Sequence, residues 1–235
     1  MPVIELHNVT KSYQLGKTEV HALRGIDLSI ESGEFAVLSG PSGSGKTTIL
    51  NILGCLDAPT SGEYRIDGDP VAIADFDDLA EVRNEKIGFI FQTFNLVPVL
   101  NVLENIELPM LVRPHAWGSR SDRQARARQL AEQVGLGKHI HHRPDELSGG
   151  QRQRVAIARA LATSPRIVLA DEPTASVDSD TAASLLDLMQ RLNREQGVTF
   201  LFSTHDPRVV ARATRLIYIE DGRIVDKPSS VAHAA

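Results

Sequence analysis

The sequence predicts an α/β fold, and three observations predict it. Consecutive apolar residues at 35–39, 166–171 and 198–204 read as strands buried on both faces. A glycine-rich turn separates the first of these from a helical stretch at 47–56. Residues 181–196 carry Leu185, Leu188, Met189 and Leu192 at helical spacing.

Taken in order, residues 3–9 and 20–30 are β-type runs ahead of 35–39. Residues 57–68 follow the first helix and hold Pro59, Gly62 and Gly68, which makes them turn-rich. Residues 86–92 form another apolar strand. Helical character then takes over, with short segments near 81–85 and 102–109. A charged, helix-prone stretch covers 121–134, capped by Ser121 or Asp122 and ended by Gly135, and another covers 152–163. The α/β pattern returns at 166. Asp221-Gly222 between two apolar runs signals a hairpin within 216–225. The tail after Lys227 is small and polar and reads as loose. The expectation is one domain over 1–235: a core lobe of about 1–92 and 161–228, a helical insertion of about 93–160, and a tail at 229–235.

A chain of 235 residues can bury a sizeable core. Its net charge of −5 argues against nucleic-acid binding through a broad basic face. The single cysteine, Cys55, excludes an internal disulfide, and its neighbours Ile52, Leu53 and Leu56 read it as a buried structural thiol. The first seven residues lack a basic segment followed by an apolar one, so no secretory signal is read. No apolar run approaches the ~18–20 residues of a membrane-spanning helix. Any membrane part is expected to come from another subunit.

Three motifs carry chemistry. Gly40-Pro41-Ser42-Gly43-Ser44-Gly45-Lys46-Thr47-Thr48 matches a phosphate-binding loop in its strand-to-helix context. Its backbone N–H groups would curl around phosphate oxygens, Lys46 would reach the β- and γ-phosphates, and the Thr47 hydroxyl would ligate Mg2+. Residues 166–172 place Asp171 and Glu172 at the carboxyl end of a strand, where open α/β sheets bind ligands. Asp171 would hold Mg2+ and Glu172 would deprotonate an attacking water. Leu147-Ser148-Gly149-Gly150-Gln151 precedes a helix, a second anion-binding arrangement. One chain needs one γ-phosphate cradle, so a second implies use in trans.

Together these motifs resemble the nucleotide-binding subunit of an ATP-binding-cassette transporter over nearly the whole length. The resemblance implies a P-loop ATPase cassette with a mixed core sheet, an antiparallel N-terminal β part and a helical insertion. It implies that ATP lies between Gly40–Thr48 of one copy and Ser148–Gln151 of another, in a homodimer formed on ATP binding. By the same resemblance Tyr13 stacks on adenine and Gln92 senses Mg2+ and joins core to insertion. Ala175-Ser176-Val177-Asp178 crosses the dimer interface, with Val177 where leucine is commoner, and His205 is the switch histidine.

Residues 91–100, 104–109 and 50–57 are similar to the macrolide-exporter and lipoprotein-release branch. That branch implies an integral membrane permease-type partner and a cytoplasmic subunit held on the inner face of the membrane. It implies export, lipoprotein release or mechanotransmission, with ATP-gated control of cell-envelope remodelling as the alternative. A two-cassette soluble ATPase acting on ribosomes or DNA does not fit one cassette without coiled-coil or zinc inserts.

Two clusters stand apart. His139, His141, His142 and Arg143 read as a solvated basic turn without acidic or cysteine partners. The arginines of 121–128 read as a solvated helix face. The apolar residues Phe94, Leu96, Val97, Val99 and Leu100, interrupted by Pro98, either receive a short helix of the membrane subunit or pack between the lobes.

Overall fold

The computed structural model describes residues 2–16, 18–71 and 76–225; the tail that the sequence reads as loose lies outside them. Two long strands, β1 (Pro2–Leu15) and β2 (Thr18–Glu31), form an antiparallel hairpin. Then come β3 (Phe35–Ser39) and α1 (Lys46–Leu53). β4 (Ser61–Ile66) and the two-residue β5 (Asp69–Pro70) complete an antiparallel sheet of order β2-β1-β4-β5. The turn-rich reading of 57–68 missed β4. Tyr64 and Ile66 are buried while Glu63 and Arg65 face out, a period-2 pattern too short to stand out between glycines. Tyr64 donates its hydroxyl to Leu53 O at 2.7 Å, tying the strand to the end of α1.

α2 (Phe76–Lys86) leads into β6 (Ile87–Ile90). Helices α3 (Val102–Glu107), α4 (Arg120–Gln133) and α5 (Gly149–Ala160) follow, linked by 3₁₀ turns. The chain ends with β7 (Ile167–Asp171), α6 (Ser179–Gln196), β8 (Phe200–Ser203), α7 (Pro207–Val210) and the hairpin β9 (Arg215–Glu220) and β10 (Arg223–Val225). The second sheet has the order β10-β9-β3-β8-β7-β6 and is parallel except at its β9–β10 edge.

This sheet is buried on both faces, as its unbroken apolar runs predict. Phe35 and Val37 of β3 and Phe200 and Phe202 of β8 join α3 to α6 in one apolar cluster. Ala36, Leu38 and Leu201 point the other way, into a second cluster with α1 and the antiparallel sheet. The helices between β6 and β7 therefore share a core with the sheet.

Two helix starts and one surface differ from expectation. α4 is capped by Ser119, whose hydroxyl accepts from the Asp122 N–H while the Asp122 carboxylate accepts from the Ser119 N–H; a cap at Ser121 or Asp122 is corrected by two residues or more. α5 starts at Gly149, not near Arg152. Arg123 turns inward to Glu107 at 3.3 Å and Arg126 reaches Leu161 O and the Ser164 hydroxyl, so the solvated arginine face is reduced to Arg128.

Cys55 is 2% exposed, and burial pushes its thiol up to about 11 from 9.0. Two pKa units cut the thiolate fraction at pH 8 by about 100-fold. Alkylation of the native chain at pH 8 is expected to run at least that much slower than in denaturant. Equal rates would show that the thiol is not sheltered.

Candidate functional site

β3 delivers the chain into the glycine loop, and α1 begins at Lys46. A Cβ on Gly40 would overlap the Ile219 carbonyl of β9, so the loop lies flat against that strand. The Gly222 N–H donates to Ser44 O at 2.9 Å and fixes the loop from the β9–β10 turn. α1 has no side-chain cap, which leaves its first N–H donors turned to the loop. Lys46 Nζ donates to Gly40 O at 2.8 Å and Pro41 O at 2.7 Å. Free backbone donors, a helix N-terminus and an ammonium in one place make an anion cradle.

The carboxylates arrive from β7. Asp171 pairs in register with Ser203 of β8, and Leu38 of β3 pairs with the same Ser203 from the other side. Burial raises the Asp171 carboxyl above the usual carboxylate range, the neighbouring Glu172 charge adds to this, and the Ser203 hydroxyl and the Lys46 charge oppose it. Glu172 has φ +43, a left-handed backbone costing on the order of 1–3 kcal/mol in a non-glycine residue. Its N–H donates to Ser203 O at 2.9 Å. Its carboxylate accepts from the Thr204 hydroxyl at 2.7 Å and lies 2.6 Å from His205 Nδ1. A carboxylate fixed by two partners is oriented as a base must be.

Loop and carboxylates face one cleft of about 810 Å3. It is lined by Gly40–Gly43 and Gly45–Thr48, by Gln92, Asp171, Glu172, Ser203 and His205, and by Val20, His21 and Ala22 of β2. Ser44 is buried beneath it. The Thr47 hydroxyl, the Asp171 carboxylate and the Gln92 amide are the hard oxygen donors that a small divalent cation takes. Tyr13 stands opposite Val20 in the hairpin and is half-buried outside the lining. Its hydroxyl donates to Asp57 at 2.7 Å, and Lys11 sits 4.9 Å from its ring centroid. Burial first, then Asp57, raises its pKa.

Ser148, Gly149, Gly150, Gln151 and Asp178 do not line this cleft. Ser148 caps α5 in a capping box: its hydroxyl accepts from the Gln151 N–H at 3.2 Å, and its N–H donates to Gln151 Oε1 at 2.9 Å. A Cβ on Gly150 would overlap the Thr181 methyl, so the helix start lies against the start of α6. Asp178 caps α6 through the Thr181 N–H and hydroxyl, at 2.9 and 2.7 Å, which hold its pKa low. These residues form a second, separate surface.

The loop after β6 is held by α5. Phe94 and Asn95 both have positive φ, and Arg159 donates to both carbonyls. Arg152 lies over the Phe94 ring at 5.2 Å, and Leu96 packs on the core. Of the apolar residues in this segment only Val99, at 71%, is strongly exposed. An apolar cavity of about 600 Å3 opens beside it instead, with Leu56, Leu111 and Val112 exposed among its lining. His139 and His142 are half-buried and stacked edge-on, and only His141 of the three is exposed.

Sequence reasoning passed over Ser203 and Thr204, which bond to the two carboxylate residues, and residues 20–22 of the lining. Position at the same strand end as Asp171 was the available signal for the first two; nothing marked the third.

A family model described as "ABC transporter" matches residues 23–175. The chain is 47% identical to the uncharacterized ABC transporter ATP-binding protein YvrO of Bacillus subtilis, over 99% of this chain and 100% of that one. It is 49% identical to the macrolide export ATP-binding/permease protein MacB of Syntrophobacter fumaroxidans, over 98% of this chain but only 32% of that longer protein. A solved dimer of the ATP-binding cassette MJ0796, in a post-hydrolysis state bound to ADP and Pi, superposes with a TM-score of 0.85. It is 46% identical and covers 95% of this chain and 97% of that one. The protein MJ0796 is from Methanocaldococcus jannaschii.

If Lys46 holds a phosphate of ATP, Lys46→Ala removes a charge-assisted contact of about 1.5–3 kcal/mol. Titration with ATP is expected to show binding about 10- to 150-fold weaker, with the fold retained. Unchanged affinity would take Lys46 out of the phosphate site.

Proposed function

This chain belongs to the ABC transporter ATP-binding family, and from that premise we propose that it is the ATP-hydrolysing subunit that powers a membrane partner. The observation that carries the proposal is the single cleft in which the glycine loop, Gln92, Asp171, Glu172 and His205 meet. The phosphate chain lies in the loop, with Lys46 supplying positive charge. Mg2+ would be held by Thr47, Asp171 and Gln92, and would supply charge neutralisation on the phosphate oxygens. Glu172 takes the proton of the attacking water. Thr204 and His205 keep its carboxylate aimed, and His205 faces the γ-phosphate end. Tyr13 supports the adenine from the hairpin.

The second surface, Ser148–Gln151 with Asp178, serves the cleft of another copy. Its helix N-terminus, exposed at Ser148, is a phosphate site without a phosphate loop of its own. Two copies then enclose two ATP molecules about a two-fold axis, and ATP favours closure by mass action. Residues 93–160 form the helical lobe that carries this surface.

No helix among the described residues is long and apolar enough to cross a membrane. A permease-type subunit supplies the span, and this chain sits on the cytoplasmic face of the membrane. The apolar cavity rimmed by Leu111 and Val112 receives a short helix of that subunit, displacing the expectation from the 94–100 apolar residues to the neighbouring wall. The macrolide-export and lipoprotein-release branch gives the class of partner.

Glu172→Gln keeps shape and removes the base. Hydrolysis should fall about 100-fold or more while ATP binding persists. With ATP and Mg2+ the variant should elute as a dimer and the wild type mostly as a monomer. Normal hydrolysis by the variant would reject this base.

Leu111→Asp or Val112→Asp changes an exposed side chain on the cavity rim. Either should abolish co-purification with a membrane subunit while basal hydrolysis stays within about twofold, since surface changes rarely disturb the fold. Full retention of the complex would remove this cavity from the docking surface.

A further inference from the structure

Gln153 is fully buried on α5, yet it is polar. Its Nε2 donates to Pro173 O at 2.6 Å, and its Oε1 has no hydrogen-bond partner among the described residues. A buried amide with half its capacity idle is a poor source of stability, because the idle acceptor has lost its water without replacement. An unbranched apolar side chain of the same length would carry no idle acceptor, but it would leave the buried Pro173 carbonyl without its donor. The polar group therefore answers to its partner and not to the core.

That partner is one residue beyond Glu172. A residue before proline favours φ near about −120°, whereas Glu172 has φ +43. Its backbone is thus held against its preference. On one side the Glu172 N–H is bonded to Ser203 O of β8. On the other side stands Pro173, which has no N–H, so its carbonyl is its sole backbone hydrogen-bonding group. Gln153 takes that carbonyl.

We infer that Gln153 is a positioning residue for Glu172, fixing from α5 the backbone that aims the carboxylate of its own chain. This rests on the proposed role of Glu172 and on the dimer with two composite sites. α5 is the helix that Ser148 caps, so one rigid element joins the surface offered to the other copy's nucleotide to the base of this copy's own cleft.

Gln153→Met removes the donor and keeps the volume. The melting temperature should fall only slightly, because losing the donor to the Pro173 carbonyl is offset by losing the idle acceptor. KM for ATP and ATP-driven dimerisation in a Glu172→Gln background should stay within about twofold. kcat should fall about 10- to 100-fold, the size of effect that a small misplacement of a reacting group produces. A wild-type kcat would overturn the inference. So would a clear loss of melting temperature, which would make Gln153 a packing residue.

Mixed dimers separate action within a chain from action across the interface. The reference dimer pairs wild type with Glu172→Gln and keeps one working base. Gln153→Met placed in the chain with the intact Glu172 should slow this dimer as it slows the homodimer. Placed in the Glu172→Gln chain, it should add nothing to the loss already there. The reverse pattern would place Gln153 at the partner's nucleotide and overturn the inference. A reference dimer with no turnover would count against independent composite sites and not against Gln153, which the homodimer kcat and melting temperature then decide.

Discussion

The parallel register of β3, β8 and β7 is the constraint on which the rest of the molecule depends. Leu38, Ser203 and Asp171 stand level across three neighbouring strands about 4.8 Å apart. Each strand ends there or one residue on, and each releases a different piece of chemistry: the glycine loop, the Thr204-His205 pair, and Glu172. A slip of one residue in any strand would exchange the side chains packed on its two faces and carry its loop to another level. The apolar packing on both faces forbids that slip, so the deep core sets the geometry of a polar cleft.

The same constraint creates tension at the cleft. Asp171 ends a buried strand and is partly taken from water, which is why its carboxyl is raised. Glu172 follows at once and must turn sharply out of the strand, which is why its backbone is left-handed. Neither feature stabilises the fold. Both are tolerated because hydrogen bonds with Ser203 and Thr204 hold these two residues, and Gln153 of α5 holds the carbonyl of the next one, Pro173. At Glu172 the unfavourable conformation and its supports fall on the residue proposed to act as base.

Much of this was legible in the sequence. The glycine loop and the strand ending in Asp171 depend on local pattern, and each lies where the residues place it. The Asp221-Gly222 hairpin is there as well. What escaped depends on distant partners. β4 is short, and its strand character comes from pairing with β1. The α4 cap moved to Ser119 because Ser119 and Asp122 satisfy each other, a reciprocal fit that two adjacent candidates obscured. Arg123 and Arg126 look like surface charges until Glu107 and the carbonyl of Leu161 are brought near. Gln153 carries no mark in a run of Gln and Arg residues, because its meaning lies in a carbonyl 20 residues away.

The capping box at Ser148 bears on the speed of assembly. Ser148 and Gln151 already satisfy each other before any second copy arrives. The surface they form has little rotational freedom left to surrender on contact, and its backbone donors stand ready in place. On the proposed use of this surface in trans, association would carry a small ordering penalty at Ser148–Gln151, with no local folding step to wait for.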